Sequence, residues 1–300
     1  MVNENPARLL GEFQSRHGFL IAIDSDGCAF DTMEIKHKEC FIPNTIKCFG
    51  LQAVARYARQ AAEFVNLYSR WRGVNRFPAL LKTLDLLRER REVVERNICI
   101  PRLPATHAWL DRESTPANPA LRAAIAATNG TAQEELQRVL NWSEAVNQAV
   151  ASMVEGVPPY PCVCECIQLA STQADIIVVS ATPEEALRRE WTEHDLARYT
   201  AVIAGQEMGT KADHLRRAAA GRYARGSVLM IGDAPGDLAA AQSEDALFYP
   251  IVPGDEANSW KQLLNRGLDR FFAGAYEGQY EATLIETFET RLPDVPPWLS

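Results

Sequence analysis

Five short, mostly apolar runs, each closed by a turn or polar residue, constrain what this chain can fold into. They are residues 18–24 (Gly-Phe-Leu-Ile-Ala-Ile-Asp), 175–180 (Asp-Ile-Ile-Val-Val-Ser), 199–204, 227–232 (Ser-Val-Leu-Met-Ile-Gly) and 246–252. Continuous, β-branched runs of this length suit strands buried on both faces of a parallel sheet. Helical segments separate the later ones, at roughly 183–191, 211–220 and 236–243. The alternation predicts an α/β fold: a Rossmann-like parallel sheet of at least the five strands, with helices on both faces.

Residues 33–158 break this rhythm and contain no clear strand run. Helical spacing places Leu51, Val54, Ala58, Ala61, Val65 and Tyr68 on one stripe of 51–71. A second stripe in 78–95 carries Leu80, Leu81, Leu84 and Leu87. Thr131-Ala-Gln-Glu134 reads as a capping box that opens a helix ending near 153. Gly156-Val-Pro-Pro-Tyr-Pro161 reads as a linker. The expected organisation is a core domain from 1–32 and 159–300, interrupted by an all-helical domain at 33–158. An insertion after the first strand is expected at the carboxyl edge of the sheet. Segments 258–273 and 276–291 read as helical, and 293–298 as a tail without chemistry.

The 300 residues carry a formal charge of -8, which argues against nonspecific binding to nucleic acid or acidic membranes. An anionic substrate stays open, because a bound cation can reverse the sign of a pocket. The opening Met-Val-Asn-Glu-Asn-Pro lacks the basic start and apolar run of a signal peptide. The longest apolar stretches are strand-length, too short to span a bilayer. A cytoplasmic protein is expected, and the 7 cysteines, an odd number without regular spacing, fit reduced thiols.

The strand ends carry the chemistry. The first run ends in Asp24-Ser-Asp26-Gly-Cys-Ala-Phe-Asp31, the second in Ser180-Ala-Thr-Pro183. Gly209-Thr-Lys211 follows the third, and Gly232-Asp233-Ala-Pro-Gly-Asp237 closes the fourth. Ligands of open parallel sheets bind beyond the carboxyl ends of the strands, so these groups are expected on one rim. Acids without a His or Cys cluster favour a hard cation with oxygen ligands, Mg²⁺ above all. A hard cation with a lysine and a serine makes a phosphate site. In extended chain the Asp24 and Asp26 side chains point the same way. Neighbouring carboxylates tend to split in pKa, which suits Asp24 to attack as an ion and Asp26 to carry a proton. Gly27 permits a sharp departure from the strand.

The set apolar–Asp-x-Asp-Gly, apolar–Ser, Lys and Gly-Asp-x-x-x-Asp resembles the haloacid dehalogenase superfamily, with its motifs in order at strand ends. The resemblance covers 18–32 and 160–255, and the helical insertion looks like the cap of the phosphoglycolate phosphatase and β-phosphoglucomutase type. It implies Asp24 as the nucleophile that becomes an aspartyl-phosphate and Asp26 as general acid and base. It implies Ser180 and Lys211 as phosphoryl-binding groups. Mg²⁺ would be held by Asp24, the backbone carbonyl of Asp26 and Asp233, with Asp237 a ligand or a partner of the ligands. An acid at 26 separates the chain from the dehalogenase branch. The implied function is hydrolysis of a small phosphorylated metabolite, with cap closure over the first step. A phosphomutase, or a binding protein with a relict site, are the alternatives.

Each piece has a plainer reading. Asp-x-Asp-Gly alone is a turn. Thr182-Pro-Glu-Glu185 reads as a capping box with Pro at the first helical position, so Thr182 is expected to be structural. Asp31 is expected to cap a helix or steady the loop, and Cys28 to pack. Cys162, Cys164 and Cys166 lack a matching second ligand pair, and none of the five histidines has metal spacing. His37, Lys38, Arg70, Arg72, Asn75 and Arg76 are polar candidates in the cap by location alone. Oligomeric state is not legible.

Overall fold

The computed structural model describes residues 8–299, and the opening residues read above for a signal peptide lie outside them. Contacts divide the chain into two units: the residues up to Thr32 with Gly156–Leu292, and Met33–Glu155 with the segment from Pro293.

The first unit is built on five parallel strands, β1 (Phe19–Ile23), β2 (Ala174–Val179), β3 (Val202–Ala204), β4 (Val228–Gly232) and β5 (Leu247–Pro250). Their order is β3-β2-β1-β4-β5. Each apolar run supplies one strand. The third is shortened, because Ala197–Tyr199 winds into a 3-10 turn before β3 begins.

Successive strand residues point to opposite faces, and here both faces are buried. Ile21, Ile23, Ile176, Val178 and Ile231 pack against α1 (Val163–Ala170) and α2 (Glu184–Glu193) through Val163, Ile167, Leu187 and Trp191. Leu20, Ala22, Ile177, Val179 and Met230 pack on the other face. Their partners are Leu215 of α3 (Lys211–Ala219), Leu238 of α4 (Pro235–Ser243) and Phe288 of α5 (Gln279–Thr290). Each fully buried Val, Leu or Ile contributes about 1.5–3 kcal/mol of transfer free energy. This is the α/β architecture that the run pattern predicts.

The second unit is helical, with Ala55–Leu67, Arg76–Glu89 and Gly130–Met153 its longest helices. Trp142 is fully buried there, its ring 6.3 Å from both Phe49 and Phe77. Three local expectations differ from the structure. Tyr68 stands just past its helix, exposed, with its hydroxyl on Glu34. Asn129, not Thr131, precedes the first turn of the long helix, with no side-chain cap. The 78–95 helix breaks at Arg90, whose backbone turns extended while its guanidinium lies 4.8 Å from the Tyr57 ring and 4.4 Å from that of Trp298. The same stacking accounts for the tail. Trp298 also meets Phe64 at 5.7 Å, and Asp294 pairs with Arg70, so the segment from Pro293 packs with the helical unit instead of the core. Among the described residues, no helix is long and apolar enough to cross a membrane.

His214 on α3 is fully buried, and that burial lowers its pKa from 6.5 to about 4. Between those values the unfolded chain binds a proton that the folded chain refuses, so this residue makes stability fall as pH drops through that window. The loss should approach roughly 3 kcal/mol near pH 4. Urea midpoints at about pH 7.5 and about pH 4.5 test this. The gap between wild type and His214→Gln should move in the variant's favour at the lower pH, and an unchanged gap would refute it.

Candidate active site

β1 and β4 are neighbours, and strand order reverses between them. From β1 the chain proceeds to β2 and β3 on one side, then crosses to β4 on the other. A reversal of this kind leaves a crevice beyond the carboxyl ends of the two strands. Asp24 sits at the end of β1, its amide donating to the Ile231 carbonyl of β4 at 3.0 Å. Asp233 follows directly after β4.

The backbone turns as soon as β1 ends. Gly27 takes a φ of 74°, the left-handed region that glycine enters without strain. The Ser25 carbonyl accepts the amides of Cys28, Ala29 and Phe30 at 3.3, 2.9 and 3.0 Å. The chain turns between Asp24 and Asp26, and the two carboxylates take different hydrogen-bond donors. The Asp24 carboxylate accepts from the Ser25 amide at 2.8 Å and from Lys211 Nζ at 2.8 Å. Asp26 accepts from the hydroxyls of Thr32 and, at 2.7 Å, Thr182.

The turn after β4 explains its own motif. Pro235 opens α4, and Asp237 turns back so that its Oδ2 accepts the amides of Asp233 and Ala234, each at 3.0 Å. Any side chain on Gly232 would collide with Asp237, so the strand must end in glycine. The other oxygen of Asp237 faces Lys211 Nζ.

Lys211 is placed by a capping box that the sequence reading did not use. Thr210 Oγ1 accepts the Asp213 amide at 3.1 Å, and Asp213 accepts the Thr210 amide at 3.0 Å. The bonds from Thr210 hold the Asp213 carboxyl down at about 2. The letters Thr-Lys-Ala-Asp carry this signal. With α3 thus started, Lys211 is its first residue, and its ammonium spans Asp24 and Asp237.

Carboxylate oxygens of Asp24, Asp233 and Asp237 lie within 4.8 Å of one another, and all three residues are buried. Burial raises the Asp24 pKa well above its usual range; Lys211 opposes this, and Asp237 and Asp233 reinforce it. For Lys211, burial opposes the charge, but Asp237 and Asp24 outweigh it and its pKa is raised. Lys211 pairs with Asp24 and Asp237, and the cluster gathers three carboxylates in a desolvated place. Donors that are all oxygen fit a hard divalent cation, and Mg²⁺ meets both the charge and the chemistry. The Asp26 carboxylate is not in this cluster, in keeping with an expected metal contact through its backbone carbonyl alone.

Ser180 extends β2, its amide on the Ala204 carbonyl at 3.0 Å, and it is buried. The register pairs Ile23 with Val178, which puts Ser180 one step further along the rim than Asp24. Thr182 corrects the sequence reading: Pro183 holds the N-cap position of α2, no side chain caps the helix, and the Thr182 hydroxyl serves Asp26. Asp31 accepts from the Tyr160 hydroxyl at 3.0 Å, which ties the outgoing and returning chains. Cys28 is fully buried, and burial pushes its thiol up, as suits a packing residue.

The remaining candidates have structural partners. Cys162 precedes α1 with a φ of 71°, Cys164 is exposed and Cys166 buried. No group of metal ligands among the described residues includes them or a histidine. In the helical unit, Asn75 caps its helix by accepting the Phe77 amide at 3.0 Å. Arg76 donates to Ser143 and Asn147, Arg72 to the Leu67 carbonyl, and Lys38 pairs with Glu34. His37 stacks on Phe41 at 4.7 Å.

No family model and no curated protein matches the chain. Solved structures do. A haloacid dehalogenase-like hydrolase from Streptococcus pneumoniae is similar at 12% identity, covering 81% of this chain and 90% of that one, with a TM-score of 0.43. A protein named for phosphoglycolate phosphatase, from Lactobacillus delbrueckii, is similar at 14%, covering 77% and 85%, with a TM-score of 0.43. One named for β-phosphoglucomutase, from Thermotoga maritima, is similar at 14%, covering 82% and 100%, with a TM-score of 0.38. With scores this low, the functional reading rests on this chain's own residues.

The capping box has a measurable consequence. Thr210→Ala should cost about 1 kcal/mol in urea unfolding, with Thr210→Ser close to wild type. Equal stability of all three would show that the box does not hold the start of α3.

Proposed function

We propose that the chain is a Mg²⁺-dependent phosphohydrolase acting on a small phosphorylated metabolite through an aspartyl-phosphate on Asp24. One observation carries the reading. A buried carboxylate at the β1/β4 switch point is held by Lys211 beside two further carboxylates, while the next acid in the chain, Asp26, is held apart by two hydroxyls. That separation provides a nucleophile and a proton carrier at one strand end.

In the first step an oxygen of Asp24 attacks phosphorus, the ester bond breaks, and Asp26 delivers its proton to the leaving oxygen. In the second, Asp26 takes a proton from water, whose oxygen attacks phosphorus and frees phosphate and Asp24. Lys211 and Ser180 donate to the phosphoryl oxygens, and Thr182 and Thr32 keep Asp26 oriented. Asp24, Asp233 and Asp237, with the Asp26 carbonyl, would hold Mg²⁺, which supplies positive charge to the phosphoryl oxygens.

A phosphate-release screen over metabolite phosphates and pyrophosphate, with Mg²⁺ and with chelator, tests the proposal. Turnover should require the metal, and Asp24→Asn should lose about 10³-fold or more of it. Asp26→Asn should leave slow phosphoenzyme formation or none. Near-wild-type turnover in Asp24→Asn would sink the mechanism. A requirement for a bisphosphate primer would reassign the chain as a phosphomutase. No release together with no beryllofluoride binding would leave a binding protein.

Mg²⁺ should also raise the melting temperature of the wild type, since a ligand of the folded state alone stabilises it. Asp233→Asn should lose most of that rise, and an undiminished rise would remove Asp233 from the metal site.

A further inference from the structure

Between Asp24 and Asp26 stands a serine that takes its partners from α2. Ser25 is completely buried. Its hydroxyl donates to Glu190 Oε2 at 2.9 Å and accepts from Trp191 Nε1 at 2.9 Å. Its amide donates to Asp24 Oδ1 at 2.8 Å, and its carbonyl gathers the amides of Cys28, Ala29 and Phe30. One residue therefore joins the Asp24 carboxylate, the turn and α2.

The far side of this joint is rigid. Trp191 is fully buried and meets Phe30 edge-on at 5.7 Å and 74°, so the indole that donates to Ser25 is packed in place. Glu190 is half-buried on the same helix. Just ahead of α2, Thr182 holds Asp26 at 2.7 Å. The consecutive residues Ser25 and Asp26 are thus gripped from one helix and its lead-in. An apolar side chain at position 25 would fill the space, but only a hydroxyl between a donor and a charged acceptor also fixes its rotation. Rotation matters because the Ser25 amide bonds the Asp24 carboxylate, so a twist of that peptide displaces the attacking oxygen.

We propose that Glu190 and Trp191 are positioning residues for phosphoryl transfer, which act through the Ser25 hydroxyl to fix the loop presenting Asp24 and Asp26. They touch no substrate. The inference rests on the phosphohydrolase reading above.

The test uses the full chain with Mg²⁺ and p-nitrophenyl phosphate, on Glu190→Ala, Glu190→Gln, Ser25→Ala and the double variant Ser25→Ala/Glu190→Ala. A displacement near 1 Å at a reacting group can cost about 10²-fold, so Glu190→Ala should lower kcat by about 10- to 100-fold. KM should stay within about threefold, because the bound state is not what is lost. Glu190→Gln keeps an oxygen that accepts from Ser25 and should recover most of the rate. The double variant should be no slower than the worse single one, as expected for groups acting through one bond. Hydrogen exchange at the Cys28, Ala29 and Phe30 amides should speed up in Glu190→Ala.

Three results would each overturn the inference: kcat in Glu190→Ala within about twofold of wild type, losses that multiply in the double variant, or Glu190→Gln as slow as Glu190→Ala. If Glu190→Ala fails to fold, Ser25→Ala and Glu190→Gln decide alone. A slow Ser25→Ala beside a fast Glu190→Gln supports the inference, and any other pattern overturns it. A wild type that releases no phosphate marks failure of the parent reading instead, because the silence is then in the parent and not in the variants.

Discussion

One ammonium bridging two buried carboxylates, with a third beside them, is the interaction around which the core unit is arranged. Isolated buried carboxylates are costly and tend to protonate. Here the cost is offset from fixed positions. Asp237 takes two backbone amides and the lysine, and Asp24 takes one amide and the lysine. Hydrogen bonds to charged groups contribute about 1.5–3 kcal/mol each, so these bonds are comparable with the penalty they oppose. They do not cancel it, since burial still raises the Asp24 carboxyl. The imbalance that remains is what a divalent cation would remove.

Every member of that cluster stands at an element's end. Asp24 and Asp233 prolong adjacent strands, Lys211 begins α3, and Asp237 lies in the first turn of α4. Sites on regular elements hold their geometry more closely than sites on loops. The supporting residues are chosen to match: a glycine where Asp237 must approach the strand, and a capping box where the lysine must start a helix. Its oxygen donors suit a hard cation, and on the proposed reading the lysine beside them suits phosphoryl oxygens.

Most of this was legible in the sequence for two physical reasons. Strands buried on both faces read as continuous apolar runs, so β1, β2, β4 and β5 could be placed, and what ended each run was polar and conspicuous. The parts that were not legible depend on partners far along the chain. Ser25 reads as a filler between two acids, yet its hydroxyl bonds Glu190 and Trp191, 165 and 166 residues away. At the break, the Arg90 guanidinium lies on the ring of Trp298, a residue that reads only as tail. Helical periodicity reports which face is buried. It does not report which distant ring will draw a guanidinium out of a helix.

Thr182 shows how a sound local pattern loses. Thr-Pro-Glu-Glu is a good helix start, and a capping hydroxyl contributes about 1 kcal/mol. The same hydroxyl can instead donate to a carboxylate, for about 1.5–3 kcal/mol. The competition is settled by what else can serve the helix. The Glu184 amide at the start of α2 donates to Glu207 Oε2 at 3.1 Å, and Glu184 and Glu185 place negative charge in the first turn. With that amide satisfied from outside the motif, the threonine is released for Asp26. A capping signature beside a strand end is therefore a claim about the helix alone, and the hydroxyl goes to whichever partner has no substitute.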